Sequence, residues 1–138
     1  MAESLQLKVV TPKGSLLDEE VASFTVASDL GEFCVLPNHR PILAALVVSR
    51  MVVEQLNGGK IAYALDNGFL EGGADHVSVI TERCVPAEEL DQAALGKEVG
   101  QLEEELNNMD SGAPEAQDTI KALEWAKVRL DVSEMSNG

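Results

Sequence analysis

The stretch that decides the fold is residues 77–109, VSVITERCVPAEELDQAALGKEVGQLEEELNNM, because the spacing of its apolar residues changes at Pro86. Before Pro86, a short run of the kind found in β-strands occupies Val77 to Ile80. After Pro86, apolar residues recur every three or four positions, which is the period of an amphipathic helix. The sequence therefore predicts a strand-rich domain over residues 1–86 and a helical domain over residues 87–138.

Short apolar runs separated by Gly, Asn, Pro or Asp fill the first domain. The first run alternates apolar with polar residues from Leu5 to Val9 and ends at Pro12 and Gly14. Many short strands at this spacing are typical of a β-sandwich or a barrel. Asn57-Gly58-Gly59 lies between two runs and predicts a tight hairpin. The other predicted strands are 21–27, 33–36, 42–48, 51–56, 61–65 and 77–80.

Two helical patterns fill the second domain and are separated by residues 110–114, DSGAP. Pro86 is expected in the first turn of the first helix, and Glu103 to Glu105 on its polar face. Two helices joined by so short a linker predict an antiparallel hairpin. The apolar stripes are Leu95, Val99, Leu102, Leu106 and Met109 in the first helix, and Ala116, Ile120, Leu123, Ala126 and Leu130 in the second.

The predicted hairpin is expected to need support from outside itself. Each stripe is only one residue wide per turn, and Gly96 and Gly100 each cost the first helix about 1 kcal/mol relative to Ala. Three arrangements remain open: the hairpin docks on the sandwich, docks on a partner, or exchanges between the two.

The charge of the chain excludes one class of partner. The 138 residues include 24 acidic and 10 basic side chains, for a formal net charge of −14, which disfavours contact with a phosphate backbone and excludes a nucleic-acid partner. Residues 1–87 carry 11 acidic and 6 basic groups, net −5, whereas residues 88–138 carry 13 and 4, net −9. No apolar run is long enough to span a bilayer, so we expect no direct membrane insertion.

No catalytic or metal site follows from the residue types. His39 and His76 lack ligand spacing to a Cys, an Asp or each other, and the common nucleotide-binding and nucleophile motifs are absent. We therefore predict no catalytic residue and no metal ligand. Cys34 and Cys84 lie far apart without CxxC spacing, which favours two buried thiols over a disulfide.

The segment Gly31 to Leu43, GEFCVLPNHRPIL, combines stiffness with polar residues. Pro37 and Pro41 fix their own φ angles and so stiffen the loop between two apolar runs. Such a loop is equally consistent with a contact surface and with a merely rigid turn.

Five segments occur in the order and spacing of the epsilon subunit of F-type ATP synthases, and the whole chain resembles that family. They are VVTPKG at 9–14, LPNH at 36–39, NGFLE at 67–71, HVSVI at 76–80 and ALEWAKVRLDV at 122–132. The resemblance implies an α+β chain, with an N-terminal antiparallel β-sandwich of about ten strands and a C-terminal antiparallel two-helix hairpin. It also implies a non-catalytic rotor subunit in the central stalk of a proton-translocating ATP synthase, peripheral to the cytoplasmic face of the bacterial inner membrane.

The resemblance further implies partners for each domain. The sandwich would bind the gamma subunit and the c-ring and help couple proton flow to ATP synthesis. The hairpin would lie beside the sandwich or extend along gamma toward the alpha and beta subunits, where it would inhibit ATP hydrolysis. The interaction loop would comprise Glu32, Leu36, Pro37, Asn38, His39 and Arg40, and the hairpin's regulatory contacts Lys97, Lys121, Lys127 and Arg129.

Some bacterial members of that family hold a nucleotide on the folded hairpin, with an [IL]DxxRA motif and arginines of the second helix. Leu90, Asp91 and Arg129 match parts of this remnant site, but Ala94 and Leu95 replace the Arg-Ala pair and Trp125 stands at an arginine position. Because few guanidinium groups remain to bind phosphate, we expect no cofactor and little or no ATP binding.

The acidic hairpin is also expected to inhibit less strongly than a basic one, because long-range attraction to an acidic partner is small or absent. The alternative to the rotor subunit is a stand-alone β-sandwich adaptor with a helical interaction hairpin, which fits the periodicities but not the ordered motifs.

Overall fold

Two five-stranded sheets and two helices make up the computed structural model, which describes residues 4–110 and 112–135. Sheet I has the strand order β2-β1-β9-β8-β5, and sheet II has the order β10-β7-β6-β3-β4. The strands are β1 Leu5–Thr11, β2 Gly14–Val21, β3 Ser23–Ser28, β4 Gly31–Val35, β5 Ile42–Leu46, β6 Ser49–Glu54, β7 Lys60–Leu65, β8 Gly68–Gly72, β9 His76–Thr81 and β10 Cys84–Pro86. The predicted ten-stranded sandwich is confirmed.

Strand pairing is antiparallel except at one place. β1 pairs with β9 in parallel, with Leu7 opposite Val77 and Val9 opposite Val79. The predicted antiparallel sandwich therefore contains one parallel pair, because the first strand of the chain lies between β2 and β9. The predicted hairpin at Asn57-Gly58-Gly59 is present between β6 and β7, where Gly58 has a φ of 90°.

The core lies between the two sheets and is built from inward-facing residues of alternating strands. It contains Leu5, Leu7, Val9, Val21, Phe24, Val26, Val35, Leu46, Met51, Val53, Tyr63, Leu65, Leu70, Val77, Val79 and Cys84.

Burial raises the pKa of the Cys84 thiol to about 12. Both cysteines are free thiols, as predicted, but Cys34 is exposed, contrary to the expectation that both are buried. Cys34 lies on β4, an edge strand of sheet II, with its side chain directed away from the core.

The hairpin consists of α1, Gln92–Asn107, and α2, Pro114–Met135. Both helices form, but their ends differ from the prediction. Pro86 ends β10 and is followed by a 3-10 turn at Ala87–Glu89, so it is not in the first turn of α1. Asp91 caps α1 instead, because its carboxylate accepts the N–H of Ala94 at 3.2 Å. Pro114 begins α2, a position that suits its missing N–H.

α2 is docked on the outer face of sheet II and is the middle layer between that sheet and α1. Its predicted stripe faces α1, where Leu123 and Ala126 pack against Val99. A second face of α2, carrying Trp125 and Val132, packs against Ala64 of β7 and Ala87. The narrow apolar stripes therefore account only for the contact between α1 and α2. Packing of α2 on the sandwich supplies the additional stabilisation that the hairpin was expected to need.

Two glycines allow β8 to lie close to β9. A Cβ at Gly68 would lie 2.0 Å from the carbonyl oxygen of Ile80, and one at Gly72 would lie 2.3 Å from that of His76. A Cβ at Gly96 of α1, in contrast, would have no atom within 4 Å other than those of its chain neighbours and the adjacent backbone of its own helix.

This contrast predicts opposite effects of the same substitution. Gly68→Ala is expected to lower the free energy of unfolding by at least about 2 kcal/mol, because the backbone of β9 must move away. Gly96→Ala is expected to raise it by up to about 1 kcal/mol through helix propensity. Urea unfolding followed by circular dichroism measures both. A Gly68→Ala protein as stable as the parent would show that the two strands are not so closely packed.

Candidate functional site: the 36–40 loop, the outer face of sheet I and the docked hairpin

The loop of residues 36–40 joins β4 to β5 at one end of the sandwich and is held in a defined shape. Asn38 has a φ of 65°, a left-handed conformation that Asn adopts more readily than most residues. Its N–H donates to the carbonyl oxygen of Ala74 at 2.8 Å, which ties the loop to the turn before β9. Leu36, Asn38 and Arg40 are exposed, and Pro37 and His39 are partly buried. The loop therefore presents an apolar, a polar and a cationic side chain from a rigid base.

His39 has one ring nitrogen satisfied and the other unsatisfied. Its Nδ1 lies 2.7 Å from the carbonyl oxygen of Arg40. A carbonyl only accepts, so Nδ1 carries the hydrogen and Nε2 of the neutral ring is an acceptor. Nε2 is buried and has no hydrogen-bond partner within the part of the chain that the structure describes.

Glu32 does not join the loop with which it was grouped. It lies near the start of β4, opposite Ala27 of β3, whereas Leu36 follows the other end of that strand. Its carboxylate pairs with Arg50 at 3.6 Å, and Arg50 also pairs with Asp131 of α2 at 3.5 Å. The structure therefore brings residues 36–40 together and places Glu32 at the sandwich–hairpin junction.

The outer face of sheet I carries an exposed apolar row that the sequence reasoning missed. Phe69 of β8 lies between Ala45 of β5 and Ile80 of β9, and Leu43 projects beside them from β5. Phe69, Ile80 and Leu43 are 58%, 47% and 76% exposed. Contiguous exposed apolar residues on a folded surface indicate contact with another molecule. β8 was not predicted as a strand, so Phe69 could not be assigned to a face.

The other sheet is covered by α2, and Trp125 is at the centre of that contact, only 4% exposed. Two guanidinium groups lie over its indole ring, with Cζ of Arg83 4.6 Å and Cζ of Arg129 5.3 Å from the ring centroid. Arg83 belongs to the sandwich and pairs with Asp66 at 2.9 Å. Arg129 belongs to α2 and pairs with Glu98 of α1.

The three residues that the family resemblance assigns to a remnant nucleotide site all have structural roles. Leu90 packs against the cluster that contains Trp125. The carboxylate of Asp91 caps α1. The guanidinium of Arg129 is bound to Glu98, and its Nε donates to the carbonyl oxygen of Trp125 at 3.4 Å.

The remaining predicted contact residues of the hairpin, Lys97, Lys121 and Lys127, have exposed side chains. Residues 4–110 and 112–135 contain no group of three or more His, Cys, Asp or Glu side chains placed to hold a metal ion. Neither α1 nor α2 combines the length and apolar character that a membrane-spanning helix needs.

The missed charged residues share one property, which is that each pairs with a residue distant in sequence. Arg50 and Asp131 are 81 positions apart, and Arg83 and Asp66 are 17 apart. No spacing rule joins such positions. The one signal in the sequence was Trp125, the single tryptophan of the chain, which lies in the second helix outside its predicted apolar stripe.

The fold is thus a β-sandwich with an exposed apolar row on sheet I and a helical hairpin packed on sheet II, an arrangement that offers surfaces for contact with other chains. The family model for the beta-sandwich domain of the ATP synthase delta/epsilon chain matches residues 4–87. The chain belongs to this family, which confirms both the resemblance and the prediction of a non-catalytic subunit.

Named relatives match over nearly the full chain. The ATP synthase epsilon chain of Geotalea uraniireducens is 34% identical over 133 residues, which is 96% of this chain and 96% of that protein. The ATP synthase epsilon chain of Geobacter sulfurreducens is 33% identical over the same shares. In fold, the chain is similar to one in the mitochondrial ATP synthase of Euglena gracilis, with a TM-score of 0.81 at 24% identity over 97% of this chain and 81% of that chain.

Isothermal titration of the full chain with Mg-ATP is expected to show affinity weaker than about 10 µM, corresponding to a binding free energy less favourable than about −7 kcal/mol. The reason is that Arg129 is already bound to Glu98 and Trp125. Fluorescence of Trp125 during the titration supplies a second measurement. A dissociation constant at or below 10 µM would contradict this expectation.

Proposed function

We propose that the chain is a rotor subunit in the central stalk of a proton-translocating ATP synthase, where it binds the gamma subunit and the c-ring and helps couple proton flow to ATP synthesis. The observation that carries the proposal is the asymmetry of the sandwich. Sheet II is covered by the chain's own α2, whereas sheet I exposes an apolar row next to a rigid loop. A subunit held between two partners needs two contact surfaces on one rigid body, and we assign these to the apolar row and the loop of residues 36–40.

The apolar row on sheet I is assigned to the gamma subunit. Burying Phe69, Ile80 and Leu43 against another chain removes apolar surface from water, at roughly 25 cal/mol per Å². The row crosses three neighbouring strands, so it offers a surface several strands wide. Lasting association with a stalk subunit fits such a surface better than binding of a small molecule.

The loop of residues 36–40 is assigned to the c-ring. It adjoins the apolar row through β5, whose exposed Leu43 follows the loop by three residues. Its rigid base keeps the cost of ordering the loop on binding low.

Glu32, which the family resemblance places in the same loop, has a different assignment. Its pairing with Arg50 connects it to the hairpin, so we assign it to the position of the hairpin rather than to the first contact with the c-ring.

The hairpin is assigned a regulatory role with weak inhibition of ATP hydrolysis by the alpha and beta subunits. Lys97, Lys121 and Lys127 are exposed and available to an acidic partner, but Arg129 is held by Glu98. With a net charge of −9 over residues 88–138 from 13 acidic and 4 basic groups, attraction to an acidic surface is small. As a rotor subunit, the chain would lie peripherally at the cytoplasmic face of the bacterial inner membrane.

The rotor assignment is tested by purifying the tagged full chain from its native source. We expect the gamma, alpha and beta chains and the c subunit to co-purify with it. Phe69→Glu is expected to lower their recovery at least about tenfold, because a charge is then buried in the apolar contact. Leu56→Glu is the matched control, since Leu56 is 49% exposed and lies in the β6–β7 turn. Recovery of a lone dimer would instead support the adaptor alternative.

Weak inhibition is tested by deleting residues 87–138 and measuring ATP hydrolysis by the parent complex. We expect the rate to rise by less than about twofold, since the acidic hairpin gains little from long-range attraction. A large rise, with normal recovery of the truncated chain in the complex, would show that the hairpin inhibits strongly despite its charge.

A further inference from the structure

The contact between α2 and sheet II determines where the whole hairpin lies. α2 is the middle layer, and the buried residues of α1 pack on α2 through Val99, Leu123 and Ala126. Trp125 and Val132 join α2 to the sandwich through Ala64 and Ala87. Loss of the Trp125 contact would therefore release both helices from the sandwich.

Two arginine side chains lie over the Trp125 ring in this contact, Arg83 from the sandwich and Arg129 from α2. Arg83 lies between β9 and β10, and both its Nε and its terminal nitrogen bind the carboxylate of Asp66, at 3.0 Å and 2.9 Å. Asp66 is only 13% exposed, so the sandwich holds the Arg83 guanidinium in place over the indole. At 4.6 Å from the ring centroid, the guanidinium is within the range of a cation–π attraction.

Each of these cations has its own carboxylate, so the contact is complete without an added anion. Asp66 neutralises Arg83, and Glu98 neutralises Arg129. The cluster around the indole is filled by side chains of the chain itself, including Val48, Val85 and Val128.

We propose that Arg83 and Trp125 form a clasp that holds the hairpin docked on the sandwich in the absence of any ligand, and that opening of this clasp controls release of the hairpin. That opening of the clasp regulates an ATP synthase rests on the proposed function. That the clasp holds the hairpin on the sandwich is a property of the isolated chain. Arg50 and Asp131 form a second link across the same junction, and because both are well exposed this link contributes little by itself.

The test uses the full chain and measures amide hydrogen exchange by helix and strand, with acrylamide quenching of Trp125 fluorescence as a second measurement. Arg83→Gln is expected to speed exchange in α1 and α2 about two- to fivefold, the range for a cation–π contact at a partly exposed site, and to make Trp125 easier to quench. Lys13→Gln removes one positive charge from the β1–β2 turn and is expected to match the parent. Arg83→Lys is expected to give helix exchange rates between those of Arg83→Gln and Lys13→Gln, since an ammonium keeps the charge but lacks the planar guanidinium group.

Variants of the ring give an independent measurement. Trp125→Ala is expected to speed exchange in both helices by at least about tenfold, because the main buried side chain of the contact is lost. Trp125→Phe is expected to have a smaller effect, since it keeps an aromatic ring. Exchange in β1 and β9 is expected to stay unchanged in all these variants. If Arg83→Gln also speeds exchange in β1 and β9, that variant perturbs the sandwich itself. The proposal is then tested by whether Trp125→Ala speeds exchange in the helices more than Trp125→Phe does.

Two results would overturn the proposal: Arg83→Gln behaving like Lys13→Gln, or Trp125→Ala leaving helix exchange unchanged. Failure of the rotor assignment would give a different set of results from failure of the clasp. In that case the clasp variants behave as expected, but the tagged chain recovers no ATP synthase subunits.

Discussion

The packing of α2 on sheet II is the interaction on which the rest of the arrangement depends. Truncating a buried aromatic side chain of this kind typically costs about 3–5 kcal/mol, a large share of the stability of a small domain. α1 has no comparable buried aromatic residue and packs on α2. The docked position of both helices thus depends mainly on one face of one helix, which makes the arrangement sensitive to anything that competes for that face.

The same packing divides the sandwich into two surfaces with different uses. Because α2 covers sheet II, the outer face of sheet I is left to meet other chains, and its exposed Phe69 and Ile80 are the residues that do so in our assignment. The Glu32–Arg50–Asp131 contacts cross from the sandwich to α2. A charge brought near Glu32 would therefore act on the same arginine that contacts α2.

The parts of the fold that follow from local pattern were predictable from sequence, and those that depend on long-range pairing were not. The change of period after Pro86 predicted the passage from strands to helices, since β10 ends at Pro86 and α1 begins at Gln92. Asn57-Gly58-Gly59 predicted the β6–β7 hairpin. β2 was missed because Asp18, Glu19 and Glu20 occupy an edge strand, where charged residues are common. β10 was missed because it has three residues. Residues 36–40 lie together because they are adjacent in sequence, whereas most of strand β4 separates them from Glu32.

The parallel pairing of β1 with β9 has a consequence for how the chain is made. Gln6 to Val10 pair with His76 to Ile80, so sheet I cannot close during synthesis until the ninth strand has left the ribosome. Such non-local pairing slows folding, because the intervening chain must be ordered before the contact forms. β2 is then the only neighbour available to β1 for most of translation, and the surface on which α2 docks is completed at β10, immediately before the helices emerge. Vectorial synthesis therefore favours an order in which the sandwich closes first and the hairpin docks last.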